Sequence, residues 1–156
     1  MKVIKVWTAA LARVLMSAGF LIGGIIILFN WHETEANFIF TLCEWQSHLS
    51  FCDQAQECFA FLNLWSACLL AAAILCLLGG GLLVLLGIKE KWGAFLLVLF
   101  LIPQTLLYYP FWFFEGAERD IHTGFFLSHC AIVGGLLLMI LNGGKASGQF
   151  SSSFKM

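Results

Sequence analysis

Three stretches of this chain, Leu64 to Ile88, Trp92 to Phe114 and roughly Ile121 to Asn142, contain no Asp, Glu, Lys or Arg. A bilayer core needs about 20 apolar residues to cross as a helix, so each stretch is long enough to span. A fourth, Trp7 to Phe29, is interrupted only by Arg13. Its basic start, Lys2 and Lys5, resembles a signal peptide. Its apolar run is too long for one, however, and no small-x-small site closes it, so it reads as a retained first span. Composition agrees: 61% of residues are hydrophobic and 11% charged, too few charges to cover a soluble globule. The segments are uniformly apolar rather than alternating, which excludes a membrane barrel and leaves helices.

The expected fold is therefore an all-α integral membrane protein. Short connections between spans two, three and four force antiparallel neighbours and a four-helix transmembrane bundle. One membrane domain covers residues 1–142. The Gly- and Ser-rich tail, 143–156, is expected to be disordered.

Charge sets the expected orientation. Lys2 and Lys5, Lys89 and Lys91, and Lys145 and Lys155 fall on one side. The first connection, from Asn30 to Asn63, has no Lys or Arg but carries Glu33, Glu35, Glu44, Asp53 and Glu57; the third has only Arg119 beside Glu115, Glu118 and Asp120. The positive-inside rule places both termini in the cytoplasm and the acidic connections outside. A net charge of −1 with no basic patch excludes nucleic acid as a partner. The bilayer itself is the first partner.

The long outer connection is patterned. Phe38, Leu42, Trp45 and Leu49 share one helical face, while Glu44, Gln46, Ser47 and His48 lie mostly off it. This predicts an amphipathic helix in the first extracytoplasmic connection, lying in the interface or capping the bundle mouth. Asp53 followed by Gln56 predicts a capping-box start to a second short helix.

Few residues could carry chemistry. Arg13, the only charge within a span, either snorkels to the cytoplasmic interface or faces the bundle as a clamp for an anion or head group. Gly19 with Gly23, the stripe Cys68, Ala72, Cys76 and Gly80, and Ala131 with Gly135 are expected to let helices pack closely. His122 and His129 share a face of span four, and with Gln104 and Asn63 they are expected to form a polar cluster near the outer mouth. No facing-helix histidine exists to complete a haem site, and no metal site is expected. Cys43, Cys52 and Cys58 lie on the side where disulfides persist, and Cys52 and Cys58 are close enough in sequence to bridge. No C-x-x-C and no nucleophile–base arrangement occurs within the spans, so the chain is not expected to be catalytic on its own.

Further patterns resemble the DoxX-like family. They are Ala12 to Trp31 with Arg13, Gly19 and Gly23; Gly79-Gly80-Gly81-Leu82-Leu83 followed by Leu86-Gly87 and Gly93-Ala94; and Ile102-Pro103 with Tyr109-Pro110-Phe111-Trp112, then Phe126-Leu127 and Gly134-Gly135. The resemblance extends from about residue 8 to residue 142. The chain departs from the family pattern at Asn30, Cys76, Tyr109 and Ser128-His129, and Cys76 stands where members often carry a Glu, so Arg13 is expected to lack its ionic partner. The resemblance implies an accessory membrane subunit of a quinone-linked, sulfur or oxidative-stress redox complex, anchoring or gating a redox enzyme, with quinone as the cofactor to consider. It also implies a cell inner membrane. Contact residues would include Arg13, Trp112 and His129, with Tyr109 in place of the His that often precedes Pro-Phe-Trp. Two other readings are a small-molecule or lipid-handling carrier and a structural membrane protein without its own chemistry.

Overall fold

The structure, a computed structural model, describes residues 2–153; Lys155, counted above among the basic residues, lies outside them. Six α-helices follow one another: α1 (Lys2–Phe29), α2 (Trp31–His48), α3 (Asp53–Leu64), α4 (Ser66–Leu86), α5 (Glu90–Tyr108) and α6 (Gly116–Ser153). A short 3-10 turn, Phe111–Phe113, separates α5 from α6. Four segments are long and apolar enough to cross a membrane: Ala10–Phe29, Ser66–Leu86, Glu90–Phe113 and Gly116–Leu141. The chain is an all-α, multi-pass membrane protein.

The spanning helices pack in sequence, α1 along α4, α4 along α5 and α5 along α6. Their core lies nearer the Lys89–Lys91 end, where Val84, Ala94, Leu97, Val98, Leu101 and Leu136 are buried together and Met16 and Phe20 pack over them. The Lys89–Lys91 end is the basic end of the bundle, and α2 and α3 sit at the opposite, outer end.

Close helix approaches fall at glycines, though not at all those expected. A Cβ on Gly93 would lie 2.8 Å from Leu83 Cβ and 2.9 Å from the Gly80 carbonyl. Gly81 faces Leu21, Gly24 faces Leu78, and Gly135 faces the Met16 methyl. By contrast, a Cβ on Gly19 or Gly23 would meet nothing within 4 Å. That pair is not a packing motif: small side chains permit approach, but no helix fills the space in front of them. Cys68 and Ala72 are likewise exposed, not seated in an interface.

The outer connection forms a two-helix cap. Leu42 is 1% exposed, and Phe38, Trp45 and Leu49 are half-buried, as the amphipathic pattern predicts. The Trp45 indole N–H donates to the Leu107 carbonyl at 2.9 Å, one of the last carbonyls of α5, which lack helical partners. Ser66 Oγ donates to Glu35 Oε1 at 3.2 Å and ties α2 to the start of α4. The capping box does not form. Cys52, not Asp53, occupies the N-cap of α3, and Gln56 instead accepts from the Gln46 side-chain amide and donates to the Gln46 backbone carbonyl.

At the C-terminus α6 continues past Asn142 to Ser153, where a disordered tail is expected from composition. Once a helix is nucleated in the span, each further residue adds a hydrogen bond without a new nucleation cost.

Candidate functional site

Arg13 reaches the basic end of the bundle and is paired there. Its Nη2 lies 2.6 Å from Glu90 Oε1, with the two side chains 21% and 3% exposed. Oε1 makes no aligned hydrogen bond, so the contact is an ion pair held by charge. The expectation that Arg13 lacks an acidic partner is therefore corrected. The partner comes from the first turn of α5 rather than from α4. A carboxylate there is favoured by the positive end of the α5 dipole, and Arg13 lies beside Gly87, the C-cap of α4, where the dipole is negative. Gly87 (φ +67°) and Lys89 (φ 52°) both adopt left-handed backbone to make this turn. Glu90 had a readable signal: it is the only acid at the basic end of the chain.

With Arg13 occupied, the polar residues open to a ligand lie elsewhere. In front of Gly19 and Gly23 is a cleft of about 630 Å³, walled by α1, α5 and α6 with Leu77 of α4. Its floor includes Phe100, Leu101 and Gln104, and its α6 wall includes His129 and Ile132. The volume falls in the range of ligand pockets. Gln104 sits about 21 Å along α5 from Glu90, next to Pro103, which removes a backbone N–H inside the helix. His129 Nδ1 lies 2.8 Å from the Phe125 carbonyl, an acceptor, so Nδ1 donates there, and the tautomer protonated at Nδ1 alone leaves Nε2 as an acceptor.

Tyr109, which is not part of the expected cluster, lies against both histidines. Its ring centroid lies 5.0 Å from that of His129 and 6.1 Å from that of His122. His122 also stacks on Phe114 at 4.2 Å, and its buried Nδ1 has no hydrogen-bond partner among the described residues. Trp112 belongs to a different group. It meets Trp45 edge-on at 5.9 Å and Phe126 at 6.4 Å, in an aromatic seam between cap and α6. Gln104, Tyr109, His122 and His129 thus lie along one side of the bundle, whereas Arg13 and Trp112 lie apart from it.

The cysteines are free thiols. Cys52 caps α3 and Cys58 lies within it; six residues at about 100° each turn the second away from the first. No group of three His, Cys, Asp or Glu side chains suited to a metal occurs among the described residues.

A family model described as DoxX matches residues 8–110. The chain belongs to the DoxX family. The match takes in α1 to α5, including Arg13, Glu90 and Gln104, and ends at Pro110. The DoxX match therefore leaves α6, with His122 and His129, outside it, although the sequence resemblance extends to residue 142. Nothing among curated proteins or solved structures matches the chain.

Proposed function

We propose that this DoxX-family protein is an accessory membrane subunit that holds a lipophilic electron carrier, a quinone, for a redox partner enzyme. The observation that carries the reading is the cleft between α1 and α6. It is apolar along its length, and Gln104 and His129 are its hydrogen-bonding groups. A quinone carbonyl would accept from the Gln104 amide, and a quinol hydroxyl would donate to His129 Nε2. The apolar walls suit an isoprenoid tail. Quinone redox chemistry would come from the carrier and the partner; this chain's part is to bind and orient.

The charge distribution supports placing both termini in the cytoplasm, and membership of the DoxX family supports an inner membrane. The redox enzyme would then dock at the basic end or against the outer cap.

The test is purification from native membranes in a mild detergent and mass spectrometry of what remains bound. A stoichiometric quinone, lost on Gln104→Leu and His129→Phe, supports the reading. Recovery of bulk lipid alone, under conditions that preserve known membrane complexes, sinks it.

A further inference from the structure

Gln104 belongs to the walls of two cavities, not one. The second, about 510 Å³, lies between the cap helix α2 and the outer parts of α4 and α5. Ile27, Phe100 and Gln104 line both, so the two spaces adjoin across these side chains.

The polar side chains around the outer cavity are Thr34, Asn37, Gln104 and Tyr108, and none is charged. Thr34 donates to the Asn30 carbonyl at 2.9 Å and keeps its lone pairs. The side chains of Asn37, Gln104 and Tyr108 make no hydrogen bond among the described residues. Asn37 is exposed and Gln104 and Tyr108 are half-buried, so their polar atoms are open to a ligand, and near a bilayer the alternative partners are few. Two amides and a phenol around one space offer both donors and acceptors. A charged head would surrender its hydration here with no countercharge on the wall.

We infer that this outer cavity binds a lipid with an uncharged, hydroxyl-bearing head. The head sits among Asn37, Gln104 and Tyr108 beneath the cap, and its chains lie along the apolar lining of the same cavity, Phe38, Leu62 and Leu70. The inference goes beyond the quinone reading and does not rest on it, because that reading needs only the lateral cleft.

The test compares dioctanoylglycerol with dioctanoylphosphatidylglycerol, which share chains and differ in head charge, by their effect on unfolding temperature in mild detergent. The first raises it and the second does not. Asn37→Leu and Tyr108→Phe, neither of which lines the lateral cleft, each raise the half-saturating concentration about three- to tenfold, the effect of one lost hydrogen bond. Their lipid-free unfolding temperatures stay near wild type, and if one variant fails to fold, the other decides. An equal rise with both lipids, no rise with either, or a wild-type response in the folded variants overturns the proposal. A short-chain benzoquinone run in parallel reports on the cleft: its effect is lost in His129→Phe and kept in Asn37→Leu, so failure of one reading is distinguishable from failure of the other.

Discussion

Arg13 on α1 and Glu90 at the start of α5 meet at 2.6 Å across the α4–α5 turn. The pair joins the first span to the turn between the second and third, at the end of the bundle where the core is fullest. Its position at two helix termini explains how a nearly fully buried carboxylate is tolerated at the edge of a membrane domain. Each charge has a helix dipole of the right sign in addition to its partner.

Removing one member leaves the other charge buried alone. Arg13→Ala and Glu90→Ala should each destabilise the protein by about 3–5 kcal/mol, while a double replacement by methionine should cost much less than the sum. Denaturant unfolding in mild detergent checks this. Equal losses in the double and the summed single variants would show that the two residues do not interact. Because Arg13 lines neither cavity, quinone or lipid bound to the folded fraction of Arg13→Ala should match wild type.

Gly87 tests the same junction through the backbone. Its φ of +67° disfavours any side chain, and a Cβ there would sit 3.3 Å from both Arg13 Nη1 and Glu90 Oε1. Gly116, at φ +62°, has open space in front of it. Gly116→Ala should therefore lose only the left-handed backbone term, about 1–2 kcal/mol, and Gly87→Ala should lose more. Unfolding temperatures of the two variants give the comparison, and equal shifts would remove the ion pair from the account.

What was legible in the sequence follows from which properties are local. A span is a run of apolar residues, so the four spans, their antiparallel order and the capping face of α2 could be read directly. Leu42 and Trp45 were placed by spacing alone. Partnership between distant residues is not local. Glu90 stands out as the one acid between two lysines, but that Arg13 is its partner becomes visible only when the fold brings them together. Gly19 and Gly23 show the same limit, because the spacing of small residues says that something can approach, not whether a helix or a cavity does. Asn37 and Tyr108 carry no motif, and only the folding of α2 over α5 brings them to one space.

The cap is anchored at few points, and Trp45 is the main one. Trp45→Phe keeps the ring but loses the bond to the Leu107 carbonyl, at a cost of about 1 kcal/mol. Ring contacts with Phe113 at 5.0 Å and Phe59 at 6.3 Å hold the indole in place and would be only partly replaced. Hydrogen exchange should speed up in α2 and α3 while the core around Leu97 and Leu136 stays protected. Unchanged protection in the cap would mean that it is held by other contacts.

Gly23 gives the sharpest test of the cleft. Leucine there is predicted to insert and fold, because its Cβ meets nothing within 4 Å and leucine favours a helix over glycine by about 0.8 kcal/mol. The added side chain occupies the cleft before Gln104 and His129, so the retained lipophile should disappear without loss of stability. Gly93→Ala makes the opposite case. A single methyl there meets the Gly80 backbone at 2.9 Å and should destabilise the bundle while leaving the cleft open. The two variants separate space that a ligand uses from space that packing needs. Were Gly23→Leu to lower the unfolding temperature as Gly93→Ala does, the region in front of α1 would have to be packed in the membrane, and the cleft could not be a binding site.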